Sequence, residues 1–330
     1  MKNKFKLYVT VLAAALFGVG CASPFEKGLV TAAEKAYAEG RYADAVRLFA
    51  AELTKEEAKP KPDWMELSYY NHYLGAAHER GGQYDHALEY HQKSLAIRLK
   101  QLGTDHPDVA LSYNNIGEIH EAKGEYDKAL EYHQKSLNIF LKKLGPDHPH
   151  VAMSYNNIGS VHCAKGEYDK ALEYHQKDLA ITLKKLGPDH PYVAGGYHSI
   201  GEVHKDRAEY DKALEYYQKS LNIFLKKLGA DHPDVASSYH SIGEVHKDRA
   251  EYDHALEYYQ KSLNISLKKL GADHPDVALT YYGMAITYGA KKNMLKEKEL
   301  LRKAYDIQLE KLGKVHPDTK DTKAALDKLK

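Results

Sequence analysis

Apolar positions in this chain follow two rhythms. From Leu7 to Gly20 they form a run interrupted only by Thr10, behind a leader carrying Lys2, Lys4 and Lys6, and the run stops at Cys21. From about residue 25 they recur with a helical spacing. In residues 126–143, Leu130, Leu137, Ile139 and Leu141 make one apolar stripe, while Glu131 and Lys135 stand four apart on the polar side, as an amphipathic helix requires. The unit then repeats. Leu102-Gly103-Thr104-Asp105-His106-Pro107 returns 42 residues later as Leu144-Gly145-Pro146-Asp147-His148-Pro149, with matching stretches beginning at Leu186, Leu228 and Leu270 and a degenerate copy at Leu312. Between them Gly124-Glu125-Tyr126-Asp127-Lys128-Ala129-Leu130 recurs at Gly166 and, with Ala208 and Ala250 in place of glycine, twice more. The same register reaches back to Gly82 and Gly40. A fixed period of this length marks an array of supersecondary units, each unable to bury its apolar face alone.

Each period holds two helices. His-Pro-Asp opens helix A, because proline at the first helical position needs no donor and an acid there meets the positive helix end. Gly124 or its equivalent closes helix A in the left-handed conformation, and helix B ends at Lys142, Lys143 and Gly145. The predicted organisation is a signal segment at 1–20, a degenerate first pair at 21–65, six repeats over 66–315 and a charged capping helix at 316–330. The fold class is all-α, with about seven helix pairs.

Tyr113, Ile116, Gly117, His120, Tyr126, Ala129 and Ser136 match the alternation of large and small positions of tetratricopeptide repeats, which the array resembles. The 42-residue period and the loop LGxDHPxVA are similar to the repeats of kinesin light chains and their bacterial relatives. No sustained a/d heptad region precedes the repeats, so no motor-binding coiled coil is implied. The resemblance implies a right-handed α-solenoid whose A helices line a concave groove, with positions 2, 5, 6, 9, 12 and 13 of helix A facing it. Those positions are Leu111, Asn114, Asn115, Glu118, Glu121 and Ala122 in one repeat, and Met153, Asn156, Asn157, Ser160, Cys163 and Ala164 in the next. Two later repeats place His198, Glu202, Lys205 and Asp206, then His240, Glu244, Lys247 and Asp248, at four of these positions. The groove is therefore expected to pass from an amide-rich half to a charged half.

The N-terminal run is shorter than the about 20 apolar residues of a membrane-spanning helix, and its end, Phe17-Gly18-Val19-Gly20-Cys21, resembles the lipobox of bacterial lipoproteins. Gly18 stands where that family usually has leucine. The resemblance implies removal of residues 1–20 and acylation of Cys21 by palmitate-type chains. The absence of aspartate at Ala22 implies sorting to the outer membrane, facing the periplasm. Several acyl chains hold a protein on a bilayer durably where one does not. An ordinary cleaved signal or an uncleaved anchor is the alternative reading.

Charge narrows the partners. The chain carries 47 basic and 46 acidic side chains, too even a balance to neutralise a phosphate backbone, so nucleic acid is not an expected partner. Tyrosine is abundant (27) beside 6 phenylalanines and one tryptophan, which suits half-buried rings whose hydroxyls reach polar groups.

The 20 histidines invite a metal hypothesis, but most belong to the period: His106, His148, His190, His232 and His274 in the loops, and His78, His120, His162, His204 and His246 in helix A. Equivalent atoms of stacked repeats lie about 8–10 Å apart, too far to share one ion, so these histidines read as packing or capping residues and no metal or cofactor is expected. No GxSxG, phosphate loop, HExxH or CxxC is present, and no enzyme is expected. Cys163 is read as a tolerated small side chain, with a partly exposed thiol as the alternative; no disulfide framework is available. The leading expectation is a scaffold that binds proteins or peptides through Asn114, Asn115, Glu118, Asn156, Asn157, His198, Glu202, Lys205, His240, Glu244 and Lys247. The alternative is a structural spacer or self-assembling repeat element without a defined peptide ligand.

Overall fold

In the computed structural model, residues 31–329 are described; the leader, the lipobox and Cys21 lie outside them. Fifteen helices and no strands occur among the described residues, which divide into two units, 31–167 and 168–329. The first unit holds α1 (Ala32–Ala38), α2 (Tyr42–Glu57), α3 (Trp64–Arg80), α4 (Tyr84–Leu102), α5 (Pro107–Ala122), α6 (Tyr126–Leu144) and α7 (Pro149–Ala164). The second holds α8 (Tyr168–Leu186), α9 (Pro191–Asp206), α10 (Tyr210–Leu228), α11 (Pro233–Asp248), α12 (Tyr252–Leu270), α13 (Pro275–Ala290), α14 (Met294–Lys311) and α15 (Pro317–Asp327). Within each unit helices A and B pair as antiparallel neighbours, and each pair packs on the next. No described helix is long and apolar enough to cross a membrane.

Local chemistry accounts for the boundaries. Proline drives the preceding residue into extended backbone, and His106 obeys, with φ −84° and ψ 140°. Its ring then folds over the helix start, where Nδ1 accepts from the Asp108 N–H at 3.1 Å, doing the work usually given to serine or aspartate. His148, His190, His232, His274 and His316 repeat the cap. Helix A closes where Gly124 takes φ +75° and the Glu125 N–H reaches back to the His120 carbonyl at 2.8 Å, a left-handed closure. Ala208 and Ala250 adopt the same conformation, at φ +58° and +60°.

Close approach of A to B depends on glycine facing a ring. A Cβ at Gly117 would meet the His133 ring at 2.7 Å, and one at Gly201 would meet Tyr217 at 2.8 Å. Around these contacts Ile116, Ile119, Ala129 and Phe140 are sealed in one unit, and Val193, Ala194, Ile200, Ala213, Leu221 and Phe224 in the other. Some of the tyrosines stand at the rims of the pairs: Tyr197 lies 6.1 Å from Tyr216, and Lys219 covers both rings, whereas Tyr217 and Tyr259 are fully buried.

Ion pairs at the repeat period add surface stitching. Lys142 reaches back to Asp105, Lys226 to Asp189 and Lys268 to Asp231 at 2.5–2.6 Å. Arg207 and Arg249 reach Asp169 and Asp211 at 2.8 and 2.7 Å. Their partners are open to water, so each contributes less than about 1 kcal/mol.

Candidate functional site

Within each unit the A helices stand side by side, and their facing side chains form the candidate binding surface. In the first unit that surface is knitted together. The Tyr69 hydroxyl donates to Glu34, joining α3 to α1. Asn115 Nδ2 lies 3.1 Å from His72 Nδ1, joining α5 to α3. Asn157 Nδ2 donates to Asn114 Oδ1 at 2.8 Å and approaches Glu118 Oε1 at 3.3 Å, joining α7 to α5.

Asn114 departs from the expectation of an open groove amide. It is buried; its Oδ1 lies 3.1 Å from His133 Nδ1 on α6, and its Nδ2 donates to Glu118 at 3.1 Å. The carboxamide is consumed by its own chain. Asn115, Glu118, Asn156 and Asn157 stay half-buried on the face.

His198 and His240 are corrected in the same way. Both are buried, and they pack on the rings of Tyr217 and Tyr259 at centroid distances of 5.0 and 5.1 Å. Burial holds both imidazoles below their ordinary range, His240 at about 4, so at neutral pH they are uncharged packing groups. Cys163 is buried too.

The remaining charged positions form a repeated arrangement. Lys205 Nζ donates to Glu202 Oε2 at 2.8 Å, and the Tyr217 hydroxyl donates to Glu202 Oε1. One repeat on, Lys247 donates to Glu244 Oε2 at 2.6 Å and Tyr259 donates to Glu244 Oε1. Burial alone would raise the Glu202 carboxyl, but Lys205, His198 and Tyr217 outweigh it and hold it at about 2; Lys247, His240 and Tyr259 do the same for Glu244. The charge of Glu244 also raises Lys205, as Glu202 does more strongly, both against its burial. All four carboxylate and ammonium groups remain partly open, with side chains 17–25% exposed. The arrangement is a row of fixed, alternating charges whose geometry is preset.

Sequence reasoning named the A-helix members of this row and missed those on helix B. The signal was in the repeats: where helix A carries Asn114, helix B carries His133, and where it carries His198 or His240, helix B carries Tyr217 or Tyr259. The larger ring fills the space the amide network occupies and supplies the hydroxyl that orients glutamate.

A sequence model described as tetratricopeptide repeat matches residues 64–142, 108–184, 150–224, 192–268 and 249–310. No curated protein matches the chain significantly. Among solved structures the chain is similar to BtubC (BKLC) from P. vanneervenii, at 18% identity and a TM-score of 0.52, over 72% of this chain and 92% of that one. It is also similar to a Rap protein complexed with Competence and Sporulation Factor, at 12% identity and TM-score 0.61, over 88% and 82%. A third is the Rap conjugation gene regulator of the plasmid pLS20 in complex with the Phr* peptide, at 15% identity and TM-score 0.57, over 81% and 75%. At these identities the likeness is one of fold.

Proposed function

This chain belongs to the tetratricopeptide repeat family, and from that premise we propose that it is a non-enzymatic scaffold binding a protein or peptide along its A-helix faces. The observation that carries the reading is the duplicated Tyr–Glu–Lys arrangement on α9/α10 and α11/α12. Charges fixed before a ligand arrives need little reorganisation on binding, and alternating signs suit a polypeptide of mixed charge better than a uniformly charged polymer. Two proteins of similar fold are seen with Competence and Sporulation Factor and with the Phr* peptide, which supports a peptide-sized ligand. A bacterial envelope location, with Cys21 lipidated at the outer membrane, is part of the same proposal and rests on the lipobox resemblance.

A random-peptide library panned on the purified chain tests the binding face. Glu202, Lys205, Glu244 and Lys247 changed together to glutamine leave no lone buried charge, and the change should lower affinity for enriched peptides at least about tenfold, or 1.4 kcal/mol, with helicity unchanged. Peptides bound equally well by the neutralised chain, or no enrichment at all, would remove this face from the proposal. Fatty-acid labelling of the wild type and of Cys21→Ser tests the anchor separately; label on both, or on neither, counts against it.

A further inference from the structure

Three positions recur at the A–B turns of α5/α6 and α9/α10: a histidine in the last turn of helix A, a glutamate just past the left-handed residue, and a lysine in the first turn of helix B. In α5/α6, His120 Nδ1 lies 2.9 Å from Glu125 Oε2 and Lys128 donates to that oxygen at 2.8 Å. In α9/α10 the distances from Glu209 to His204 and Lys212 are 2.8 and 2.9 Å. At α11/α12 the lysine is replaced by His254. There His246 Nδ1 lies 2.6 Å from Glu251 Oε2, the two imidazole rings stand 5.5 Å apart, and one donor atom from each of the three residues lies within 4.8 Å of the others.

We propose that His246, Glu251 and His254 bind a divalent transition cation of the zinc, nickel or copper class. Two imidazoles and a carboxylate are donors these borderline ions take. Donors about 2.0–2.2 Å from one zinc ion stand roughly 3.3–3.5 Å apart, so closing the set turns the exposed His254 ring inward and opens the 2.6 Å His246–Glu251 hydrogen bond by about 0.7–0.9 Å, the cation taking the place of the shared proton.

The other two ligands are held facing one another. The His246 ring stacks on Tyr258 at 5.3 Å with 7° between the planes. Arg249 Nε holds Glu251 Oε1 at 2.9 Å, leaving Oε2 toward the histidines, while its Nη1 pairs with Asp211 at 2.7 Å and so divides its charge. The pair α3/α4 has two of the three features, His78 and His86, but Gln83 replaces the glutamate, and the anionic ligand is lost. With three protein ligands, the cation keeps a position for water or for a donor from another molecule. This site stands at the A–B turn, independently of the proposed binding face.

The full chain, purified without an affinity histidine tract and stripped with chelator, would be titrated with zinc chloride at pH 7.5 by calorimetry, with native mass spectrometry for stoichiometry. One zinc per chain is expected. His254→Lys restores the residue of the sister repeats, so the turn should stay folded, and affinity should fall by more than the about 10–100-fold that outer-shell changes cost. Lys212→His builds the same trio on His204 and Glu209 and should add a second equivalent. Any one of three results overturns the assignment: no zinc on the wild type, equal affinity in His254→Lys, or no second equivalent in Lys212→His.

Discussion

Asp178 on α8 is a buried acid where the equivalent positions carry Ser94, Ser136, Ser220 and Ser262, all buried. Its larger side chain is admitted by Gly196 on α9, which stands where other repeats have Ser112, Ser154, Ser238 and Thr280; a Cβ there would come 3.6 Å from Asp178 Oδ2 and 3.2 Å from Leu179 Cδ1. Burial, with no charged partner opposing it, pushes the carboxyl from 3.8 up to about 8. The folded chain therefore keeps a proton at neutral pH that the unfolded chain has released. Stability from this group is whole below about pH 3.8 and is lost progressively as pH rises toward 8. At about 1.4 kcal/mol per unit, the loss by pH 7 has a ceiling of about 4 kcal/mol, and relaxation around the carboxyl should leave on the order of 2.

The double change Asp178→Ser with Gly196→Ser restores both sister residues and avoids a void. Denaturant midpoints would be measured for wild type and variant from pH 4 to 8.5. The variant should gain nothing at pH 4 and about 2 kcal/mol at pH 7, with the difference growing through the interval. A difference that stays flat with pH, or a variant less stable at pH 8, would refute the reasoning.

Other substitutions follow from the same contacts. Ala208→Gly and Ala250→Gly relieve left-handed alanines at about 1–2 kcal/mol each, less about 0.4–1 kcal/mol for the freer unfolded chain, so each should raise stability by about 0.5–1 kcal/mol in thermal or denaturant unfolding. Gly201→Ala should destabilise by about 1–3 kcal/mol, because the clash with Tyr217 outweighs the roughly 1 kcal/mol gain in helix propensity. Burial holds His91, His150 and His240 at about 4 against an ordinary 6.5. The unfolded chain binds their protons first, so their contribution to stability should fall as pH drops from 6.5 to 4; in the Asp178→Ser, Gly196→Ser background, which removes the opposing gain from Asp178, a denaturant midpoint unchanged between pH 7 and 4.5 would contradict this.

Helix boundaries were legible because they are local. His-Pro, Gly124 and Gly145 act within a few residues of themselves, and even the alanines at 208 and 250 declare their conformation by standing where other repeats have glycine. The face of helix A was legible only by halves. Whether Asn114 or His198 opens to the groove or turns inward is decided by His133 or Tyr217 on helix B, 19 residues further along, and no helical periodicity carries that information. The trio at His246 was hidden because two of its members are periodic and only His254 breaks the pattern. Asp178 reads along its own helix as polar surface; the position is buried in every sister repeat, and the room for a carboxyl there comes from Gly196 on the next helix.

The central claim is that a polypeptide lies against the A helices, and site-specific crosslinking addresses it most directly. A photoreactive side chain would replace Asp206 on α9, beside Lys205, or, in a second protein, Lys219, whose side chain is 44% exposed on α10. Each would be irradiated with a library-selected peptide. Capture from position 206 with none from 219 is expected; capture from 219 alone, or equally from both, would contradict the account.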